Sequence, residues 1–201
     1  RHVRVCLGQR VTVASLLEFD KVVLATGLKP RLPEFSGLHH PKVKTYIEAI
    51  QHPEKIGLRV ALIGAGGIGF DVAEMLSESV HGAQTDALTR YCSEWGIDPS
   101  LTQPGGLVAP QPQVPGRHIT MLQRSPGKQG KRLARTTGWI RRTQLERRGV
   151  QQLSGVAYEG VDDAGLHIVV NGEPQCLEVD HIVLCAGQES DTTLLAPLQT
   201  A

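Results

Sequence analysis

Cysteine is scarce in this chain, and what there is stands apart. Cys6, Cys92, Cys176 and Cys185 nowhere form C-x-x-C. That excludes a vicinal redox dithiol within this sequence and leaves no cysteine set spaced for zinc or an iron–sulfur cluster. Cys185 lies inside an apolar strand pattern and reads as a small core residue. Charge of one sign is lacking too: 21 Lys and Arg stand against 20 Asp and Glu, a net charge of +1. Such a balance sets up no field for nucleic acid or an acidic partner. No apolar run approaches the ~18 residues of a membrane span, and the first residues show no signal-peptide pattern. The expectation is a protein of the reducing cytoplasm, with no nucleic-acid and no membrane partner. The eight histidines show no ligand spacing, and Ser154 and Ser190 have no nucleophile context. No metal ligand and no catalytic side chain is therefore assigned.

What is present is glycine in a pattern. Arg59–Ile63 is an apolar strand that runs straight into Gly64-Ala65-Gly66-Gly67-Ile68-Gly69. Gly64, Gly66 and Gly69 occupy the places of a G-x-G-x-x-G dinucleotide fingerprint. They serve a tight turn, a close backbone approach to pyrophosphate, and close strand–helix packing. An apolar-periodic helix follows through Phe70, Ala73, Met75 and Leu76, to about Ser77, and its unpaired N–H groups would face the phosphates. Asp71 falls near the helix start, where the dipole favours a carboxylate and where it could equally face the nicotinamide end. A second apolar stretch, Val22–Gly27 in KVVLATG, ends in Ala25-Thr26-Gly27 and is echoed by HIVLCAG, which ends in Ala186-Gly187.

The rest of the chain arranges itself around the fingerprint. Val3–Leu7, Val11–Val13 and Val22–Ala25 read as strand pieces, too few for a stable sheet alone. Pro30, Pro33, Gly37 and Pro41 punctuate a linker, and Thr45–Gln51 has helical character. Residues 79–116 read as an insertion: Ser79–Thr85 is polar and glycine-broken, Ala87–Trp95 suits a short helix, and Pro99, Pro104, Pro110, Pro112 and Pro115 exclude regular structure beyond it. Two readings of the insertion stand open, a surface loop and a lid or interdomain contact anchored by Trp95. His118–Leu122 is the next strand, followed by a basic loop, a helix over about Thr136–Arg148 stopped at Gly149, and a strand at Val150–Leu153. Val156–Val161, Leu166–Val170 and Cys176–Val179, with turns at 163–165 and 171–172, form a meander before the strand His181–Ala186. The fold class is α/β: a Rossmann-like three-layer nucleotide-binding domain with a parallel sheet and a small antiparallel β-meander.

The residue ending the second strand chooses the nucleotide. Asp86 lies at about the right count for an acidic ribose reader, yet its flank does not read as a strand. The strand His118–Leu122 leads instead to Gln123-Arg124. An arginine there can hold a 2′-phosphate bidentately, where a carboxylate would repel it. Lys128, Lys131 and Arg132 reinforce the positive field. NADPH is thus preferred over NADH.

VVLATGLKPRLP, IGAGGIGFDVAEML, SEWGID, MLQR, TTGWIRRTQLERRGV and VLCAGQE together resemble the C-terminal, flavin- and NADPH-binding half of bacterial NADPH-dependent 2,4-dienoyl-CoA reductases, over about Val11–Glu189. The resemblance implies a route from NADPH to FAD, then through a [4Fe–4S] cluster and FMN in an N-terminal barrel, to a dienoyl-CoA in unsaturated fatty acid β-oxidation. It implies that residues 1–30 are the remnant of a flavin domain and 31–57 a linker with a short helix. Residues 58–190 would then be the NADPH domain, and 191–201 a truncated return to the flavin domain, with an incomplete FAD site and no turnover by this stretch alone. Carried over, Gly64, Ala65, Gly66, Gly67, Ile68 and Gly69 match the pyrophosphate loop, and Arg124 and Lys128 the 2′-phosphate contacts. Ala186 and Gly187 match the strand end passing the nicotinamide, and Ala25, Thr26 and Gly27 the crossover beside the flavin. The family's proline after the acidic residue is replaced by Ser190. Alternatives are the nucleotide-binding part of a related flavoprotein (an enoate reductase, an amine dehydrogenase, another pyridine-nucleotide-dependent reductase) or a nucleotide-sensing module without redox activity.

Overall fold

The computed structural model describes residues 2–78, 86–112 and 114–201. They divide into two compact units, one of residues 30–187 and a smaller one of residues 2–29 with 188–201.

In the smaller unit, α1 (Val13–Leu16) opens on a capping box, the Thr12 side chain accepting from Ser15 N. β1 (Leu28–Pro30) pairs with a strand at the far end of the chain, Gln188–Ser190. No described residue of this unit is buried. The strands expected at Val3–Leu7, Val11–Val13 and Val22–Ala25 are absent. Their apolar side chains stand in the open, with Val5 71% and Val23 89% exposed. A strand persists only where a neighbouring strand takes its N–H and C=O groups; among the described residues no strand does so here, and Thr12 and Val13 give their carbonyls to α1 instead.

The larger unit begins with β2 (Val43–Thr45) and α2 (Tyr46–Gln51). β2 lies inside the stretch expected to be linker. Three residues are too short to show a period, and only the ladder to the strand at 181–184 reveals it. Thr45 and Glu48 cap α2 reciprocally, with Thr45 N donating to Glu48 Oε2 at 2.8 Å. Next come β3 (Arg59–Ile63), α3 (Gly67–Ser77), α4 (Ala87–Trp95), β4 (His118–Gln123), α5 (Gly138–Arg147) and β5 (Gln151–Ser154). The meander β6 (Val156–Val161), β7 (Leu166–Val170) and β8 (Glu173–Leu177) follows, then β9 (His181–Leu184). The chain closes in the smaller unit with β10 (Gln188–Ser190) and α6 (Leu195–Thr200).

The parallel sheet has the order β2-β9-β3-β4-β5, with β3 in the middle. Alternation along β3 builds both cores: Val60 and Leu62 face the helices, Ala61 and Ile63 the meander. On the helix side Phe70, Val72 and Leu76 of α3 and Leu145 of α5 are buried against Met121 of β4. On the other side Val156, Leu166 and Ile168 of the meander cover Leu122 and Ile182. Full burial of each such side chain stabilises by roughly 1.5–3 kcal/mol. This is the three-layer arrangement expected, helices over sheet over meander. The β7–β8 turn takes Asn171 and Gly172 at φ 53° and 84°, as a two-residue hairpin twist demands. β8 starts earlier than expected, at Glu173; its Pro174 is tolerated because β8 is the outer strand of the meander.

The insertion is not loose where it is described. Ser79–Thr85 and Gln113 lie outside the described residues. Asp86 is the N-cap of α4, accepting from Thr89 N at 3.0 Å, and so serves a helix rather than a ribose. Trp95 packs edge-on to Trp139 of α5, ring centroids 6.4 Å apart, with the Arg147 guanidinium 4.8 Å from its ring centre. Beneath it Arg148 Nε donates to Glu94 Oε1 at 2.8 Å and Nη2 to Oε2 at 3.2 Å, in a pair only about 5% exposed on either side. Farther on, Asp98 gathers the proline-rich loop. It accepts from Thr102 N at 2.8 Å, Thr102 Oγ1 at 2.7 Å, Gln103 N at 3.0 Å and both Ser100 donors. The Ser100 and Thr102 hydroxyls hold its carboxyl well below the usual carboxylate range.

Candidate functional site

Three chain segments meet at the carboxyl edge of the sheet, because β9, β3 and β4 are adjacent and parallel. Ile63 stands opposite Leu184 on one side and Leu122 on the other. The residues just beyond those three, Gly64 onward, Cys185–Gly187 and Gln123–Arg124, therefore leave the sheet side by side. In open α/β sheets this edge is where ligands bind.

The glycines of the turn have different tasks. Gly64 adopts φ 119°, and a Cβ there would overlap the Cys185 carbonyl oxygen. Gly69 has ordinary backbone angles, but its Cβ would overlap the Gly64 carbonyl oxygen. Both are demanded by packing between turn, helix and β9. Gly66 and Gly67 are exposed, and a Cβ on either would meet nothing within 4 Å. Nothing within the protein forbids a side chain at these two; the space beside them is open to a ligand. Gly66 is the N-cap of α3, and Gly67 begins the helix. The first N–H groups of an eleven-residue helix point out of the turn without intrahelical acceptors. Ala65 and Ile68 turn partly inward and pack on the helix-side core.

Arg124 follows β4 directly and is exposed, as is Lys128. Among the described residues no carboxylate pairs with Arg124. Its charge reaches Tyr158 of β6, whose hydroxyl burial pushes well above its ordinary range, with Arg124 a smaller opposing influence. Ala186 rests on the meander-side core, and Gly187 stands at φ 107° with open space where a side chain would be.

Asp71 does not join this edge. It sits past the first turn of α3, and its carboxylate is taken by Arg141 of α5. Ala25, Thr26 and Gly27 belong to the smaller unit, where they line a cavity of about 500 Å³ with Leu24, Ser190 and Asp191. Thr26 Oγ1 donates to the Asp191 carbonyl there, and Asp191 N donates to Gly27 O at 3.0 Å.

Two residues of the site went unread in the sequence, Gln123 and Gln129. Gln123 Nε2 donates to the carbonyls of Ser125 and Gly127, both at 2.9 Å. Gln129 is 1% exposed, and its Nε2 donates at 2.9 Å to Met121 O of β4 and Leu153 O of β5. A neutral amide within a run of cations carries no sequence signal for this.

A parallel sheet with a glycine turn on its central strand, helices on one face and a meander on the other defines a Rossmann-like α/β fold. Residues 2–201 match the family Pyridine nucleotide-disulphide oxidoreductase, and the chain belongs to it. It is 24% identical over 196 residues to a mercuric reductase of Staphylococcus aureus, covering 94% of this chain and 27% of that protein. A solved 2-naphthoyl-CoA reductase in complex with 2-naphthoyl-CoA superposes with a TM-score of 0.61 at 18% identity, over 87% of this chain and 21% of that one. An engineered water-forming NADPH oxidase, derived from a Lactobacillus brevis NADH oxidase, superposes with a TM-score of 0.54 at 22% identity, over 89% and 33%. The chain thus spans only about a quarter of the length of the curated relatives it matches. Among the described residues no helix is long and apolar enough to cross a membrane.

Proposed function

We propose that this chain is the NADPH-binding part of a flavoprotein oxidoreductase of the reducing cytoplasm. The observation that carries the reading is the open backbone at Gly66–Gly67, ahead of the α3 N-terminus and beside the end of β4, where Arg124 lacks a carboxylate partner among the described residues. The turn suits a pyrophosphate, since its N–H groups are available and no Cβ intrudes. Arg124, with Lys128 in the following loop, suits a 2′-phosphate. The engineered NADPH oxidase loses an aspartate and gains two arginines relative to the NADH oxidase it derives from, a change of the same sign.

Bound at this edge, a nicotinamide would supply hydride chemistry with a flavin as the acceptor. The chain's own residues do the rest by positioning. Ala186 and Gly187 leave the strand end without bulk, so a flat ring can lie close to the backbone. No acid or base is assigned here. Ala25–Gly27, with Asp191, is proposed as this chain's contribution to the flavin site.

The electron sink proposed is a 2,4-dienoyl-CoA, reached through a [4Fe–4S] cluster and FMN elsewhere in the full-length protein. It rests on the motif resemblance, from MLQR through TTGW to VLCAGQE. A disulfide or metal-ion sink, as the family description and the mercuric reductase suggest, is the second reading; its dithiol would have to come from outside these 201 residues. Two experiments test this. Calorimetric titration with NADPH and NADH in parallel should show tighter NADPH binding, and Arg124→Ala should abolish that preference; unchanged preference overturns the nucleotide assignment. NADPH oxidation by the full-length protein should be stimulated by 2,4-dienoyl-CoA, and stimulation by a disulfide or Hg(II) alone decides for the second reading.

A further inference from the structure

We infer that Gln123 and Gln129 are positioning residues for nucleotide choice: they fix the loop carrying Arg124 and Lys128, and so set the preference for a 2′-phosphorylated ligand. The inference rests on the reading of Arg124 as the 2′-phosphate contact.

The loop between β4 and α5 is polar, glycine-bearing and cationic, with Arg124, Lys128, Lys131, Arg132 and Arg135 all exposed. Like charges in so short a span repel, and a free loop would spread them. The structure holds it at several points. Gln129 turns inward from among these cations and is fully buried, its amide bridging the backbones of β4 and β5. Gly130 follows at φ 70°, and a Cβ there would lie 2.9 Å from Phe70 Cζ of α3. Its carbonyl accepts from Arg142 Nη1 at 3.2 Å. At the near end Gln123 closes the first turn on Ser125 and Gly127. Burying an amide is unfavourable unless its groups are paired. Here the donor half is paired twice, while Oε1 has no partner. A core position served by any apolar residue would carry no such orphan acceptor, which singles out the two donor bonds as what this site gains. Arg124 and Lys128 lie within the segment that these two amides tie down. Holding them in place before the ligand arrives removes an ordering cost from binding.

The test uses the full chain and two probes, 2′,5′-ADP and 5′-AMP, titrated calorimetrically into wild type, Gln129→Met, Gln123→Met and Arg124→Ala. Met keeps the length of Gln without the donor. Each Gln variant is expected to weaken 2′,5′-ADP by about five- to tenfold, as loss of preorganisation does, and to change 5′-AMP by less than about twofold. Equal weakening of both probes makes the amides merely structural and overturns the inference, as does unchanged 2′,5′-ADP binding in a folded variant. If Gln129→Met fails to fold, Gln123→Met alone decides, by the same ratio. Arg124→Ala separates the levels: if it keeps the preference, the parent reading falls; if it loses the preference while both Gln variants retain it, only this inference falls.

Discussion

Two glycines three residues apart should fail in opposite ways when each gains one methyl group. In Gly69→Ala the new Cβ overlaps the Gly64 carbonyl oxygen and lies 3.0 Å from the Gly64 carbonyl carbon. Both partners are backbone, so relief requires the turn or the helix to move. Overpacking of this kind costs typically about 1–3 kcal/mol, which lowers Tm by roughly 2–4 °C per kcal/mol in a chain of this size. In Gly66→Ala the Cβ meets nothing within 4 Å, and φ −89°, ψ −169° is open to any residue. The only stability cost is that of a poorer N-cap, below about 1 kcal/mol. The same methyl, however, would occupy the space that the proposed function gives to the pyrophosphate. Losing even one charge-assisted hydrogen bond, worth about 1.5–3 kcal/mol, lowers NADPH affinity by roughly ten- to a hundredfold. Thermal melts without nucleotide and calorimetry with NADPH read the two effects separately. Gly69→Ala should lower the melt the more of the two; Gly66→Ala should melt within a few degrees of wild type and bind poorly. A Gly66→Ala protein that binds NADPH as well as wild type would refute the assignment of that space to a ligand.

Two further outcomes follow from the insertion. Glu94→Leu leaves the Arg148 guanidinium buried without its partner and should cost about 3–5 kcal/mol in urea unfolding, while Glu94→Leu with Arg148→Met should recover most of that loss; equal damage in single and double variants would show that the pair is not what holds α4. Asp98 has its carboxyl depressed in the folded state, so its contribution is complete above the unfolded carboxylate range, near pH 4, and drains away as pH falls toward the lower folded value. Wild type should therefore melt above Asp98→Asn at pH 7, and the gap should narrow steadily as pH falls below the unfolded carboxylate range; a gap independent of pH would mean that the carboxylate charge is irrelevant to the loop.

Some of this was legible because it is local. The strand Arg59–Ile63, the glycine turn, the helix to Ser77 and the meander turns are dictated by periodicity and by residues with special backbone freedom, and the structure places them where the pattern does. Helix α4 was visible as Ala87–Trp95; that Asp86 caps it and that Gly96 ends it at φ 71° came from the structure. What failed was whatever depended on partners. Val3–Leu7 and Val22–Ala25 have the composition of strands, but hydrogen-bonded neighbours make a strand, and among the described residues these have none. Val43–Thr45 has almost no strand signal and is one, because β9 lies alongside it.

For the site, sequence by itself placed three elements on one list: the glycines, the cation after β4, and Ala186-Gly187 after the last parallel strand. Only the tertiary structure ordered them as neighbours, since the sequence of strands along the chain does not state that β9 inserts between β2 and β3. It also sorted Gly66 and Gly67 from Gly64 and Gly69, and drew Asp71 away to Arg141. Buried Gln129, bonded to two strands, emerged from it as well. The physical reason is the same in each case: a dihedral preference is a property of one residue, whereas open space, a shared edge and a hydrogen-bond partner belong to residues that the chain brings together only by folding.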